Sequence, residues 1–344
     1  MEKKEEILRV RNLDISFETT AGVVNAVRGV NLTVNRGETV AIVGESGSGK
    51  SVSAKAIMGI LAKNGTIDRG QITFSYYRNP EERVTREILQ MKKEEIRRHI
   101  NGKRIAMVFQ DPMTSLNPLM PVGKQIMEGM IWHYHTPKEE AYEKALELMK
   151  LVGITDAEKR IKNYPHQLSG GMRQRIVIAI ALACDPELLI CDEPTTALDV
   201  TIQDQILRQL RELEKEYGTS IIFITHDLGV VAELCDRVVV MYGGLVMEEA
   251  SIDDLFEHPG HPYTMGLLAS MPDIEQDKSV RLQPIPGSPP DMTNPPKGCP
   301  FAPRCSNCMK ICLREMAPVT TFDDVHYTQC WMNQKEQMER EAAK

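Results

Sequence analysis

The sequence predicts an α/β fold in which a mostly parallel sheet, covered on both faces, is organised around one phosphate loop. Three observations predict it. The first is Gly44-Glu45-Ser46-Gly47-Ser48-Gly49-Lys50-Ser51, set between an apolar run at residues 39–43 and a helical pattern at residues 52–58. This is G-x-x-x-x-G-K-S in strand-to-helix context, a loop whose glycines let backbone N–H groups close around a polyphosphate. The second is a succession of short apolar runs, at residues 105–109, 188–191 and 220–224, alternating with helical patterns. Such alternation implies parallel strands joined by helical crossovers. The third is a change of composition near residue 272, after which eight prolines fall between residues 284 and 303. Proline fixes φ and removes a donor, so that stretch reads as an extended arm.

Bulk properties narrow the classes. The 344 residues suffice for one large domain and a smaller one. A formal charge of −7 argues against a nucleic-acid partner, which usually meets a basic excess. The longest apolar run, residues 176–184, is too short for a membrane helix. The charged start, Met1-Glu2-Lys3-Lys4-Glu5-Glu6, lacks the apolar core of a secretory signal. The expectation is a cytosolic protein whose membrane role, if any, runs through partners.

Taken in order, residues 7–34 alternate apolar and polar and predict two half-buried antiparallel strands turning near Ala21-Gly22. Phe17 is placed at the end of the first strand. Asn64-Gly65 predicts a turn and residues 71–74 a further strand, whereas the charged stretch 81–100 predicts one solvated helix. A strand at 105–109 ends at Gln110, and a turn-rich loop covers 111–118. Helical patterns continue to about residue 162, and a helix spans 171–183. After a buried strand at 188–191 come a helix at 202–217, a strand at 220–224, and two strands around Gly243-Gly244.

Several residue patterns point to chemistry. Lys50 is positioned to reach β- and γ-phosphates, and the Ser51 hydroxyl is a hard ligand for Mg²⁺. The helix that begins beyond them adds partial positive charge. Strand 188–191 ends in Asp192 and Glu193; after a phosphate loop these read as the Mg²⁺ carboxylate and the general base for attacking water. Leu168-Ser169-Gly170-Gly171-Met172 forms a second glycine-rich helix start, another anion site. Two such loops for one nucleotide make sense if the second serves the nucleotide of a partner subunit.

The phosphate loop, Gln110 after a strand, Leu168–Met172, the strand ending in Asp192-Glu193, Ala197-Leu198-Asp199 and His226 occur in an order that resembles the ATP-binding cassette (ABC) ATPases. The resemblance covers roughly residues 7–250. It implies an ABC-type phosphate-loop fold with an antiparallel β subdomain and a helical signature subdomain at about 111–183. It also implies a head-to-tail dimer with two ATPs sandwiched between phosphate loop and opposing signature loop. ATP would be held by Gly44 to Val52, with Phe17 at the adenine-stacking position. Gln110 would touch Mg²⁺ and sense membrane subunits, His226 would contact the γ-phosphate, and Asp199 would communicate across the dimer.

The downstream sequence is more specific. Gln110 to Pro118, His261-Pro262-Tyr263-Thr264, Pro284-Ile285-Pro286-Gly287-Ser288-Pro289-Pro290 and Gly298-Cys299-Pro300-Phe301-Ala302-Pro303-Arg304-Cys305 resemble ATPases that drive oligopeptide and dipeptide import, with nickel importers as cousins. The match is nearest the first of the two paired ATPases of oligopeptide permeases. Residues 1–255 would form the ATPase domain and 256–344 the C-terminal extension. Partners would be a second ATPase, two transmembrane permeases and an extracellular peptide-binding protein, with this chain peripheral at the cytoplasmic face. A soluble repair or translation ATPase and a metal-sensing regulator are the rival readings.

Cys184, Cys191 and Cys235 lie in apolar contexts and read as buried hydrophobes. Cys299, Cys305, Cys308, Cys312 and Cys330 cluster near the end, a pattern that in a reducing compartment suggests metal. The family pattern matches Cys299, Cys305, Cys312 and Cys330, and some members resemble [4Fe–4S] proteins here. Cys308 is an addition to that set and, two residues beyond Cys305, has a spacing common in zinc sites. The cluster, zinc and free thiols all remain open.

Overall fold

The computed structural model describes residues 5–79, 81–195, 200–271 and 284–335. Twelve strands and eleven α-helices are found among them. The strands are β1 (Glu6–Thr19), β2 (Gly22–Asn35), β3 (Thr39–Val43), β4 (Gly65–Asn79), β5 (Glu82–Glu87), β6 (Ile105–Val108), β7 (Leu188–Asp192), β8 (Ser220–Thr225), β9 (Arg237–Tyr242), β10 (Leu245–Ser251), β11 (Thr320–Thr321) and β12 (Tyr327–Thr328). The helices are α1 (Lys50–Ile57), α2 (Lys93–His99), α3 (Pro112–Ser115), α4 (Val122–Tyr134), α5 (Lys138–Leu151), α6 (Ala157–Arg160), α7 (Gly170–Leu182), α8 (Val200–Tyr217), α9 (Leu228–Leu234), α10 (Ile252–Glu257) and α11 (Pro262–Ala269).

Two sheets result. β2-β1-β4-β5 is antiparallel, and β11-β12-β10-β9-β3-β8-β7-β6 carries the parallel strands β9, β3, β8, β7 and β6 at its centre and far edge. The apolar runs of the parallel strands are buried on both faces because side chains alternate with period two. In β3, Val40 and Ile42 face the core shared with the antiparallel sheet, and Ala41 and Val43 face the helices. Ile222 and Ile224 in β8, and Leu188 and Ile190 in β7, take the first face; Phe223 and Cys191 take the second. Cys184, Cys191 and Cys235 are buried as expected.

Helices α4, α5 and α7 pack on one another beyond the end of β6. Helix α7 begins where Ser169 caps it, its hydroxyl accepting from the Met172 N–H. This region occupies the part of the chain expected to form the helical subdomain.

Three local expectations are corrected. Residues 81–100 are not one helix: residues 82–87 form β5, paired antiparallel with β4, and only 93–99 are α-helical. Val84 packs opposite Tyr76 and Thr85 bonds Ser75, cross-strand partners that local charge density could not announce. Phe17 is inside β1, which continues to Thr19. Gly65 opens β4, and the turn precedes it.

The proline-rich stretch carries no α-helix or strand, only bends, turns and a short 3-10 turn at Ala302–Arg304, and the chain beyond it is not merely an appendage. β12 pairs with β10, so the end of the chain adds two short strands to the main sheet. The junction rests on Glu248, fully buried in β10. Its carboxylate accepts from the Gly260 and His261 N–H groups and meets His326 Nε2 at 2.9 Å. Beside it, Arg237 pairs with Glu38 and Glu249, and Tyr327 donates to Glu249. Buried charges persist only when matched in this way.

Candidate functional site

Parallel pairing brings the candidate residues to one edge. β6, β7, β8 and β3 are neighbours, with Val108 opposite Cys191, Asp192 opposite Ile224 and Thr225 opposite Val43. The segments leaving these strands therefore emerge side by side. They carry Gln110, Glu193, His226 and the phosphate loop.

The loop is shaped by backbone constraints. Gly44 has φ +147°, and an added Cβ would collide with the Met241 carbonyl oxygen. Gly49 has φ +101°, and its Cβ would lie 2.6 Å from the Ala26 carbonyl. Only glycine fits both positions. Lys50, the first residue of α1, is buried and folds back across the loop. Its Nζ donates to the Gly44 and Glu45 carbonyls at 2.6 and 2.9 Å. Burial lowers its affinity for the proton, which Glu193, Asp192 and Glu45 counteract.

Ser51 Oγ donates to Asp192 Oδ1 at 2.7 Å. Burial of Asp192 raises its pKa, with the Ser51 hydrogen bond pulling the other way. Two hard oxygens at the loop, one from a carboxylate, fit the donor chemistry of Mg²⁺. Glu193 follows with φ +48°, an unusual conformation for a non-glycine residue that turns its chain sharply at the strand end. Gln110 Nε2 donates to Glu193 Oε2 at 2.8 Å, and His226 Nδ1 lies 3.5 Å from Glu193 Oε1. Residues from the ends of two neighbouring strands thus meet at the Glu193 carboxylate on the strand between them.

Phe17 is half-buried and its ring covers Gly65 on β4; a Cβ there would lie 2.7 Å from the ring. Val52 is in α1 against the same core. Leu168 is buried, while the Cβ position of Gly170 opens to space. Among the described residues no hydrogen bond links the loop 168–172 to residues 44–51. Arg173, just beyond that loop, bonds the Pro165 and Leu168 carbonyls and touches Met113 of α3, joining the segment after Gln110 to α7. Asp199 lies outside the described residues.

The cysteines divide. Cys299, Cys305, Cys312 and Cys330 line one small cavity with His261 and Trp331. Cys308 does not line it; its thiol is exposed and engages Cys312. Burial pushes the Cys299 thiol up to about 12 and raises Cys305 and Cys330. Among the described residues no group of three or more His, Cys, Asp or Glu side chains has metal-holding geometry. Thiolates are the donor type of a soft metal or an iron–sulfur cluster, and these four share a cavity without being drawn into a ligating arrangement.

Local sequence gave no warning of one group of contacts at the phosphate loop. The Glu45 N–H donates to the Tyr263 hydroxyl at 2.8 Å, and the Glu45 carboxylate pairs with Arg304 at 2.7 Å. These partners are separated from Glu45 by 218 and 259 residues. His261-Pro262-Tyr263-Thr264 and the stretch around Arg304 are visible as motifs, but nothing local says what they touch.

A parallel sheet that delivers a phosphate loop, a Ser–Asp pair and a Gln–Glu–His group to one edge defines a phosphate-loop nucleotide-binding protein. Comparison with known proteins narrows this. Residues 27–196 match the family described as ABC transporter, and residues 247–312 match the oligopeptide/dipeptide transporter C-terminal region. The chain is 52% identical over 327 residues to the oligopeptide transport ATP-binding protein OppD of Bacillus subtilis, covering 95% of this chain and 88% of that protein. It is 51% identical over 331 residues to the dipeptide transport ATP-binding protein DppD of Lactococcus lactis, covering 96% and 91%. A dimeric ATP-binding cassette solved with ADP and Pi superposes with a TM-score of 0.62 at 28% identity, covering 72% of this chain and 99% of that one. The chain belongs to the ABC transporter ATPases, in the branch of the oligopeptide and dipeptide transport ATP-binding proteins.

No helix among the described residues is long and apolar enough to cross a membrane.

Proposed function

We propose that this chain is the ATP-hydrolysing subunit of an importer of oligopeptides or dipeptides. Its relatives carry those transport names, which favours peptide over nickel and over a repair or translation role. The observation that carries the catalytic reading is the meeting of Gln110 and His226 at the Glu193 carboxylate, beside Lys50 and Ser51.

In this reading residues 44–52 cradle the phosphates and Phe17 meets the base. Lys50 contacts the β- and γ-phosphates. Ser51, Asp192 and Gln110 would hold Mg²⁺, which when bound would supply positive charge to offset that of the phosphates. Glu193 takes the proton of the attacking water, with His226 and Gln110 orienting water and γ-phosphate. Leu168, Ser169, Gly170, Gly171 and Met172 serve the nucleotide of a second, homologous ATPase. Asp199 belongs to the communication between subunits. Closure around ATP would reach two permease subunits at the cytoplasmic face of the membrane through the loop after Gln110, and an extracellular binding protein would supply the peptide. Residues 1–255 form the ATPase domain and 256–344 the extension. Within the extension Cys299, Cys305, Cys312 and Cys330 hold a structural iron–sulfur cluster or zinc, with Cys308 outside the set.

The test is Glu193→Gln in the complex assembled with its membrane subunits. ATP should still bind, and turnover should fall by a factor of about 10² to 10⁴. Turnover at the wild-type rate would remove Glu193 as the base. Anaerobic purification followed by an absorption spectrum and metal analysis addresses the thiols; a chain free of iron and zinc that folds normally would remove the centre.

A further inference from the structure

The residues that bind phosphate in this fold belong to the ATPase domain, yet one residue of the phosphate loop is held from the far end of the chain. Glu45 is the second residue of the loop. Its N–H donates outward to Tyr263 Oη at 2.8 Å, and its Oε2 receives Arg304 Nη1 at 2.7 Å. Neither contact is a loose surface pair. The Arg304 side chain is 6% exposed, and it spreads its donors over four groups. Nη1 also donates to Tyr242 Oη at 3.0 Å, Nη2 to the Ile285 carbonyl at 3.0 Å and Nε to the Pro286 carbonyl at 2.8 Å. Its guanidinium lies over the rings of Tyr242 and Phe301. Tyr242, Tyr263 and Phe301 pack on one another with centroids 4.6 to 5.4 Å apart. A guanidinium whose fork is used on both edges and which packs against two aromatic rings has little freedom to follow a moving loop.

The position of Glu45 makes this matter. A carboxylate in a loop that receives a triphosphate is unfavourable unless its charge is matched. Glu45 is close enough to Lys50 to stabilise its ammonium, so it lies within electrostatic reach of the phosphate-binding cation. The arm that carries Arg304 is itself docked beside the loop. Pro300 and Pro290 pack on Gly243, Met292 accepts from the Asn25 N–H, and Pro296 accepts from Arg28.

We propose that Arg304 and Tyr263 are positioning residues for ATP. The C-terminal extension braces the phosphate loop through them, matching the Glu45 charge and fixing the outward N–H of residue 45, so that the remaining N–H groups face the phosphates. This rests on the ATPase reading above. Arg304 touches Glu45 rather than Glu193, so the brace acts on nucleotide binding and not on water activation.

The experiment is ATP turnover and fluorescent ATP-analogue binding by the full chain in its membrane complex, for wild type, Lys50→Ala, Arg304→Ala, Tyr263→Phe, Glu45→Gln and the double variant Glu45→Gln/Arg304→Ala. Arg304→Ala should raise the KM for ATP about tenfold and change kcat less than about threefold, because an unmatched carboxylate then faces the phosphates. Glu45→Gln added to Arg304→Ala should recover most of that loss, which a merely structural arginine would not allow. Tyr263→Phe should raise KM several-fold with kcat kept. A folded Arg304→Ala chain with KM within twofold of wild type, or a double variant no better than Arg304→Ala, overturns the brace. If Arg304→Ala does not fold, Tyr263→Phe decides by the same twofold criterion. A wild-type chain that does not bind ATP, or one whose ATP binding survives Lys50→Ala, would instead overturn the ATPase reading, and this one with it.

Discussion

Ser51 Oγ donates to Asp192 Oδ1 across 2.7 Å, joining the start of α1 to the end of β7, 141 residues later. The bond sets two oxygens where a magnesium nucleotide would sit. Ser51→Ala should weaken MgATP binding by about tenfold, the scale of one charge-assisted hydrogen bond of about 1.5 kcal/mol. Titration of the folded chain with MgATP checks it; unchanged affinity would take Ser51 out of the metal site.

Gln110 and His226 both approach Glu193, from different strand ends. Gln110→Ala and His226→Ala should each slow turnover of the assembled complex, by about 10-fold and 10²-fold, on the scale of lost positioning and proton-transfer geometry. ATP affinity should change much less in both. Equal losses in kcat and in binding would indicate a disrupted fold instead.

Gly49 shows how tightly the loop is packed. Gly49→Ala places a Cβ 2.6 Å from the Ala26 carbonyl at φ +101°. The strain is of order 1–3 kcal/mol. The urea midpoint should fall and ATP affinity should collapse, since β2 and the loop cannot both keep their places. A variant with wild-type stability and ATP affinity would show that the loop relaxes without cost.

Glu248 joins the extension to the sheet. Glu248→Ala strands two buried N–H donors, of Gly260 and His261, and the ring of His326. A loss of about 3 kcal/mol is expected, read as a lower urea midpoint and earlier proteolysis beyond residue 260. The effect should be local to the junction. Burial already pushes the neighbouring His261 imidazole down to about 4, leaving it neutral with Nδ1 accepting from the Tyr263 N–H.

The legible parts of the chain were those in which cause and effect are close in sequence. A glycine loop between a β-branched run and a helix start is local chemistry, as is the antiparallel pair joined by the turn at Thr20-Ala21. The buried strands at 188–192 and 220–225 announced themselves because burial on both faces requires a continuous apolar run. Residues 82–87 misled for the complementary reason. Glu82, Arg83, Arg86 and Glu87 look like a solvated helix, but Val84 and Thr85 find partners on β4, and pairing outweighs propensity.

By itself the sequence determined that this chain carries a phosphate loop, a strand ending in Asp192-Glu193, and a proline-rich stretch at residues 284–303 leading into a cluster of cysteines. Tertiary structure alone decided which distant residues touch. It put β12 on β10, left Cys308 off the cavity that the other four thiols of the arm line, and set Arg304 and Tyr263 on Glu45. The physical reason is that a side chain's partner across hundreds of residues depends on how the sheet and arm pack, and no local propensity encodes that packing.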